Sequence, residues 1–285
     1  MEIKNVTVLG AGAMGHGIAQ VFATAGFNVT LEDITMEFAT KGLEGIKKFL
    51  AGSIEKKRMT QAEADTIVGR IKLSADLADA GANADLIIEA IVEDTKIKQA
   101  TFKKLDEVCP AHTIFASNTS YQSVTEIASI TKRPDRFVGM HFFNPPQLMK
   151  GLEIVQIDKT NPEIVTTLLA LAKKIGKDAA VCKDAPGFIA NRILQIHRAE
   201  SLKLYDEAVA SAEDIDKAFK SAYGFRMGPI ELADMVGLEI CLKGAQTFHD
   251  EFKRDVFRPS RGLITKVRAG DYGRKTGQGF YSYKK

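Results

Sequence analysis

The sequence predicts an α/β fold with a doubly wound, mostly parallel sheet, followed by a smaller all-helical domain. Short β-rich runs alternate with longer helical patterns in the first part of the chain, and only helical patterns follow residue 187. The length of 285 residues, at about 150 residues per domain, also favours two domains. We therefore predict a sheet domain over residues 1–186 and a helical domain over residues 187–285.

Apolar periodicity gives the elements of the first domain. Apolar runs predict buried strands, and apolar spacing of about 3.6 residues predicts the helices between them. The predicted strands are Asn5–Leu9, Asn28–Leu31, Asp85–Ile88, Thr113–Ala116, Phe137–Met140, Leu152–Ile157 and Ala179–Cys182. The predicted helices are Met14–Ala25, Glu37–Lys57, Ala62–Arg70, Lys96–Val108 and Pro162–Ile175.

The second domain shows helical patterns without a strong strand signal. A long helical pattern runs from Pro186 to about Val209, and further helical stretches begin at Ala212, Leu238 and Gly262. The segment GRKTGQGFYSYKK at residues 273–285 is rich in glycine and ends in aromatic residues. We expect this segment to pack as an extended tail.

Composition and charge exclude several classes of protein. Hydrophobic residues make up 45% of the chain and charged residues 26%, an ordinary globular balance. The 39 basic and 36 acidic residues are mixed along the chain, so no basic patch indicates a nucleic-acid partner. No apolar run approaches the ~18 residues of a membrane span, and the N-terminus lacks a signal-peptide pattern. We expect a cytoplasmic protein with no membrane partner.

The three cysteines give no sign of a disulfide or metal framework. Cys109, Cys182 and Cys241 are odd in number, far apart and without CxxC spacing. Reduced thiols of a cytosolic protein fit this usage, and we expect no metal site.

A glycine-rich turn follows the first predicted strand. Gly10, Gly12 and Gly15 in GAGAMG stand between the strand NVTVL and the start of a helix, which is the context of a Rossmann-type dinucleotide site. The first glycine allows a tight turn, the second lets a pyrophosphate approach the backbone, and the third permits close packing of helix and strand. Free N–H groups at the helix N-terminus make this turn an anion site.

An acid follows the second strand at the position that selects the cofactor. Asp33 lies 18 residues after Gly15, where a carboxylate hydrogen-bonds the ribose hydroxyls and repels a 2′-phosphate. No arginine follows in ITMEF, so the pattern favours NAD over NADP. The alternative to a dinucleotide site is a glycine turn with a purely structural role, next to Glu32 and Asp33 as two solvated acids.

Four later motifs carry a resemblance to a known family. They are ASNTS at 116–120, GMHFFNP at 139–145, APGFIANR at 185–192 and GPIELAD at 228–234. With KTGQGFY at 275–281, they make the chain resemble the 3-hydroxyacyl-CoA dehydrogenase family, most closely its bacterial 3-hydroxybutyryl-CoA branch. The likeness covers nearly the whole chain in matching order and spacing.

The resemblance implies an activity and a set of site residues. The activity is NAD-dependent interconversion of 3-hydroxybutyryl-CoA and acetoacetyl-CoA by a homodimer that associates through its helical domain. His141 becomes the catalytic base with Glu153 as its carboxylate partner, while Ser120 and Asn191 hold the substrate. The implied NAD contacts beyond the glycine turn and Asp33 are Met14, Glu93, Lys98, Ser120, Asn144 and Lys275, and Lys56 matches a lysine near the CoA phosphates.

His141 and Glu153 also suit this chemistry as residue types. Oxidation of a secondary alcohol needs a base for the hydroxyl proton, and an imidazole can take and return a proton near neutral pH. His141 is expected to end a strand where ligands of doubly wound folds collect, and an acid on the next strand can fix its tautomer. The alternatives are a packed core histidine, a turn formed by Asn118 and Ser120, a helix-bridging Asn191, and ordinary surface charges at the lysines and Glu93.

Three departures from the family pattern affect the acyl and CoA sites. Gly151 replaces a large aliphatic residue before Glu153, Phe49 replaces a serine that contacts CoA in some members, and LQIHRAE at 194–200 lacks the usual proline and asparagine. Two other functions remain open: a dehydrogenase of a free 3-hydroxy acid, and a catalytically idle NAD-binding structural protein. The run HFF at 141–143 favours the CoA branch.

Overall fold

The chain divides after Phe188 into two units, seen in a computed structural model that describes residues 2–283. The sequence predicts this division two residues earlier, after residue 186. Residues 284 and 285, at the end of the predicted tail, lie outside the described residues. No helix within residues 2–283 is both long enough and apolar enough to cross a membrane.

One eight-stranded sheet forms the centre of the first unit. Its strands are β1 (Asn5–Leu9), β2 (Asn28–Glu32), β3 (Ile71–Ser74), β4 (Leu86–Glu89), β5 (Ile114–Ser117), β6 (Phe137–Phe142), β7 (Gly151–Gln156) and β8 (Asp178–Lys183). They lie in the order β3-β2-β1-β4-β5-β6-β7-β8, and every neighbouring pair is parallel except β6 and β7. The predicted doubly wound, mostly parallel sheet is confirmed.

Seven α-helices accompany the sheet among the described residues of the first unit. They are α1 (Ala13–Thr24), α2 (Met36–Glu55), α3 (Gln61–Gly69), α4 (Leu77–Gly81), α5 (Thr95–Val108), α6 (Val124–Ala128) and α7 (Pro162–Lys174). Local capping fixes several starts: the Thr35 side chain accepts from the Phe38 N–H, and Thr60 forms a reciprocal capping box with Glu63.

Alternation along the strands divides the core of the first unit between the two faces of the sheet. Val6 and Val8 of β1 belong to one hydrophobic cluster, together with residues of α1 and α7, whereas Leu9 belongs to a second cluster with residues of α5 and α6. Ile87 and Ile88 of β4 separate in the same way. Burial on both faces explains why these strands read as continuous apolar runs.

The predicted elements of the first unit agree with the structure within about two residues at each end, but one strand and two α-helices have no counterpart in the prediction. The edge strand β3 was missed because Lys72 is exposed and Ile71 and Leu73 are only half-buried, which breaks the apolar run. The five-residue helices α4 and α6 are too short to show a periodicity. Strand β6 continues to Phe142, so His141 lies within the strand and does not end it.

The second unit is helical, as predicted. Its helices are α8 (Ala190–Asp206), α9 (Ala212–Tyr223), α10 (Pro229–Val236), α11 (Leu238–Phe252) and α12 (Arg261–Arg268), of which α10 was not predicted as a separate helix. The expectation of an extended tail is wrong for residues 273–283. This segment folds on itself through bridges of Gln278 to Gly273 and Ser282, because the Asp234 carboxylate accepts the N–H groups of Phe280 and Tyr281.

Candidate active site

A histidine and a glutamate face each other across the antiparallel pair of β6 and β7. The register places His141 directly opposite Glu153, so both side chains leave the sheet on the same face. His141 Nδ1 lies 2.6 Å from Glu153 Oε2, and each residue is only 3% exposed. Because a carboxylate only accepts, a neutral His141 donates from Nδ1 and leaves Nε2 as the proton acceptor.

Ser120 and two aromatic rings surround the other nitrogen of this histidine. Ser120 Oγ lies 3.1 Å from His141 Nε2, in the loop that follows β5. The rings of Phe143 and Phe188 lie with centroids 4.8 and 5.5 Å from the imidazole centroid. The imidazole therefore works in a largely apolar environment, where the charge of Glu153 has a stronger effect than it would in water.

The loop that carries Ser120 is held by Glu93. Oε1 of Glu93 accepts the Ser120 backbone N–H at 3.1 Å and the Thr119 hydroxyl at 2.5 Å. Oε2 of the same carboxylate lies 3.0 Å from Lys98 Nζ. Glu93 thus connects the Ser120 loop to the start of α5.

Lys98 is buried between two carboxylates. Its Nζ donates to Glu89 Oε1 at 2.6 Å as well as to Glu93, and the lysine is 1% exposed. Glu89 is fully buried at the end of β4, and its Oε2 accepts the Ser117 hydroxyl at 2.6 Å. The alternative of a solvated Glu93–Lys98 pair is wrong for Lys98, which does not reach solvent, whereas the Glu93 side chain is 42% exposed.

Burial and this lysine shift the acids of the network in opposite directions. Burial raises the pKa of Glu89, and the nearby Lys98 ammonium opposes the shift only in part. Burial acts on Glu93 as well, but Lys98 together with the hydrogen bonds from Thr119 and Ser120 lowers its pKa below the ordinary value. Glu93 is therefore ionised at neutral pH and can hold the Ser120 loop.

The glycine turn between β1 and α1 has the steric properties that the motif predicts. Gly10 has a φ of +86°, and a Cβ there would lie 2.7 Å from the Ala90 carbonyl oxygen. A Cβ at Gly15 would lie 1.6 Å from the Gly10 oxygen, whereas nothing lies within 4 Å of one at Gly12. Gly12 is also the N-cap of α1 and offers no side-chain cap. A side chain therefore has no room at Gly10 or Gly15, while the space beside Gly12 is free, which lets a phosphate approach the backbone there.

A cavity of about 820 Å³ adjoins this turn, and its lining includes Gly10, Gly12, Asp33, Leu77, Val92 and Lys104. The Asp33 carboxylate accepts the backbone N–H groups of Ala11 at 2.7 Å and Ile34 at 2.8 Å. These bonds fix an acid at the cavity edge while leaving lone pairs for hydroxyl groups. Apolar walls, an anchored acid and an open glycine turn fit the adenosine and pyrophosphate parts of NAD.

A second acid opens on the same cavity. Glu32, the last residue of β2, is only 8% exposed and lines the cavity beside Asp33. Burial, with smaller contributions from the charges of Asp33 and Asp76, raises the pKa of Glu32 to about 7. The alternative of a solvated Glu32–Asp33 pair is therefore wrong for Glu32.

The other predicted site residues are spread over both units, and their roles stay predictions. Met14 is half-buried in the first turn of α1, Asn144 is exposed in the loop after β6, and Lys56 is exposed at the end of α2. In the second unit, Asn191 is a half-buried residue of the first turn of α8, and Lys275 forms an ion pair with Glu239.

Two further residues support this site: sequence reasoning missed Glu89 and considered Asn118 only as a turn residue. Glu89 anchors Lys98 and Ser117, and Asn118 Oδ1 accepts the Phe142 N–H at 2.9 Å, which ties the end of β5 to β6. The sequence signal for Glu89 was a carboxylate closing the otherwise apolar strand LIIE. Such an acid cannot stay buried without partners, so its position predicts a polar network.

The sheet order, the glycine turn and the anchored Asp33 define an NAD-binding dehydrogenase. The model of the 3-hydroxyacyl-CoA dehydrogenase NAD binding domain matches residues 5–185, and the model of the C-terminal domain matches residues 187–283. The chain therefore belongs to the 3-hydroxyacyl-CoA dehydrogenase family, as its motifs predict, and is an NAD-dependent oxidoreductase.

Individual relatives agree with this assignment over nearly the full chain. The sequence is 44% identical to the probable 3-hydroxybutyryl-CoA dehydrogenase of Bacillus subtilis, covering 99% of this chain and 98% of the relative. It is 42% identical to the mitochondrial hydroxyacyl-coenzyme A dehydrogenase of Sus scrofa, covering 99% and 92%. The crystal structure of the (S)-3-hydroxybutyryl-CoA dehydrogenase of Ralstonia eutropha superposes with a TM-score of 0.95 at 38% identity over 100% of both chains.

Proposed function

We propose that this chain interconverts L-3-hydroxybutyryl-CoA and acetoacetyl-CoA, with His141 as acid and base and Glu153 as its charged partner. One observation carries the proposal: the buried bond of 2.6 Å between His141 Nδ1 and Glu153 Oε2, which leaves Nε2 directed at Ser120. A base whose second nitrogen is held by a carboxylate is the arrangement that activates a hydroxyl group.

In the oxidation direction, His141 Nε2 takes the proton of the substrate hydroxyl. NAD, when bound, supplies the acceptor for the hydride that leaves the same carbon. The imidazolium that forms is stabilised by Glu153, and Ser120 donates a hydrogen bond to the substrate oxygen. In the reduction direction, His141 returns its proton to the C3 oxygen. A positioned acid–base group of this kind contributes about 10²- to 10⁴-fold to the rate.

The relatives support the proposed acyl group, and the exposed lysines at the end of α2 support the proposed site for the CoA phosphates. The relatives from Bacillus subtilis and Ralstonia eutropha are both named for 3-hydroxybutyryl-CoA. Lys56 and Lys57 are exposed at the end of α2, where mobile cations can pair with the phosphates of CoA. Asn191 and Ser120 complete the proposed substrate contacts.

The protein is proposed to act as a homodimer in the cytoplasm. The second unit exposes large apolar side chains, which include Ile193, Val209, Tyr223, Phe225 and Ile240. Such side chains on the surface favour burial in a subunit interface. Cys109, Cys182 and Cys241 are free thiols, which suits a reducing compartment.

The test is the loss of NADH absorbance with acetoacetyl-CoA, run beside free acetoacetate. Turnover with the thioester and little with the free acid supports the proposal. A preference for the free acid would favour the first alternative function. NADH binding without turnover of either compound would favour the idle structural protein.

A further inference from the structure

Glu32 is a buried acid without a partner inside the protein. Its backbone oxygen accepts the Gly10 N–H at 2.8 Å, which ties the end of β2 to the glycine turn. Its side chain lines the 820 Å³ cavity, and the residue is 8% exposed. Within residues 2–283, the Glu32 carboxyl group forms no hydrogen bond and no ion pair. Its oxygens are not among the buried side-chain atoms that solvent cannot reach, so they open on the cavity, where a ligand can supply the partner that the protein does not.

The charges around Glu32 do not compensate an ionised carboxylate. Asp33 follows it on the same strand, and Asp76 faces it as the N-cap of α4. Asp79 of α4 is already paired with Lys72 of β3.

The neighbouring strand β1, the strand β4 beyond it and the helix α5 add no charge that compensates Glu32. β1 carries no charged residue, and the Glu89 carboxylate of β4 is paired with Lys98. Lys104 of α5 lines the same cavity but forms no ion pair with Glu32. Burial and the two acids raise the pKa of Glu32 to about 7, so the protonated form is well populated at neutral pH.

A protonated carboxyl group has the hydrogen-bonding pattern of an amide. It presents one O–H donor beside one C=O acceptor, and this pair matches the amine and the adjacent ring nitrogen on an edge of adenine. The cavity also supplies apolar walls, including Leu77, Ile91 and Val92, against which the faces of a base can pack.

We propose that Glu32, in its protonated form, binds the adenine base of NAD, so that dinucleotide binding takes up a proton. The proposal rests on NAD binding by this family and not on the identity of the acyl-CoA substrate. The direction of the pH dependence follows from the charge of Glu32. As the pH rises through neutrality, Glu32 ionises and places a second carboxylate beside Asp33, in a site that must hold an anionic pyrophosphate. Nucleotide affinity is therefore highest in mild acid and falls as the pH rises.

The experiment measures dissociation constants of ADP-ribose and NADH by calorimetry at about pH 6 and about pH 8.5, on either side of the Glu32 transition. We expect the wild type to bind about five- to tenfold more weakly at the higher pH, the size of one partly screened charge interaction. Glu32→Gln keeps the donor and acceptor without the charge, so its affinity should change little between the two pH values. Glu163→Gln, at an exposed acid of α7 outside the cavity, is the matched control and should behave as the wild type.

A second probe tests whether the base itself is recognised. An NADH analogue with purine in place of adenine lacks the amine and gains no other donor, and we expect the wild type to bind it about fivefold more weakly than NADH near pH 6. Glu32→Leu, which has no polar group, should not distinguish the two dinucleotides. The proposal is overturned if Glu32→Gln retains the pH dependence of the wild type, or if Glu32→Leu discriminates against the purine analogue as strongly as the wild type does. Neither result depends on turnover of acetoacetyl-CoA.

Discussion

The carboxyl ends of β4 to β6, with the facing first half of β7, and the carboxyl ends of β1 and β2 form two differently built regions of one sheet. In the first region, Glu89 and Glu93 are bonded to Lys98 and to the Ser120 loop, and His141 is bonded to Glu153. In the second region, a large cavity opens beside the glycine turn, and the buried carboxyl group of Glu32 has no partner among residues 2–283.

The difference separates the groups that we propose for the chemistry from the groups that we propose to bind the nucleotide. Catalytic side chains must keep their geometry before the substrate arrives, and a satisfied buried network holds them there. A nucleotide site can leave polar groups unpaired because the nucleotide supplies the missing partners. Mutations in the first region should therefore change turnover, and mutations in the second should change binding and its pH dependence.

The largest effect is expected at the centre of the first region. His141→Ala should lower kcat by about 10²- to 10⁴-fold, because it removes the acid–base group. NADH affinity should be nearly unchanged, since the nucleotide cavity is built from other residues. His112→Ala, at a half-exposed histidine paired with Asp85, is the control and should keep full turnover. Near-normal turnover of His141→Ala would require a different base.

A smaller effect is expected where the network positions Ser120. Glu89→Gln removes the charge that holds Lys98 and Ser117, so the Ser120 loop should lose alignment and kcat should fall about tenfold, a cost of about 1.4 kcal/mol. The KM for acetoacetyl-CoA should change less than kcat. In a Ser120→Ala background the same substitution should have little further effect, because the group being positioned is gone. Equal losses in both backgrounds would show that Glu89 acts elsewhere.

In the second region, removing the negative charge of Glu32 should stabilise the ligand-free protein. The pKa of Glu32 is raised in the folded state to about 7 from about 4.5, so the folded protein binds more protons and loses stability as the pH rises between these values. Glu32→Gln should therefore raise the free energy of unfolding above pH 7 by about 1 to 3 kcal/mol and leave it unchanged below about pH 4.5. Denaturant unfolding at the two pH values checks this. A variant less stable than the wild type at high pH would contradict it.

The smallest effect is expected at the exposed end of α2. Lys56→Ala with Lys57→Ala should raise the KM for acetoacetyl-CoA by about two- to fivefold with kcat unchanged, because exposed charge pairs contribute little and are screened by salt. Lys173→Ala with Lys174→Ala removes two cations from the end of α7 and should leave KM unchanged. A pantetheine thioester without the CoA phosphates should be insensitive to both pairs. An equal rise in KM for both substrates in the Lys56→Ala, Lys57→Ala variant would show that Lys56 does not bind the CoA phosphates.

Local signals in the sequence predicted most of the first region's geometry and the glycine turn. The apolar strand runs, the turn residues and the HFF motif each depend on neighbours close in sequence, so β6 and its histidine could be located. β3 gave too weak an apolar pattern, and Glu89 and Glu32 acquire their roles only from burial and from residues on other elements. Glu89 and Glu32 both follow apolar strand residues, so the sequence does not distinguish them. Only the structure shows that the Glu89 carboxylate is paired and that the Glu32 carboxyl group is not.

A crystal structure with NAD and acetoacetyl-CoA bound tests the central claim most directly. The account predicts that the C3 oxygen lies within about 2.6–3.2 Å of His141 Nε2, with the His141–Glu153 bond and the Ser120 loop unchanged. It also predicts that the adenine amine meets the Glu32 carboxyl group. A C3 oxygen held away from His141, or a His141 that turns from Glu153 when the substrate binds, would contradict the division between a prearranged catalytic region and a nucleotide site completed by its ligand.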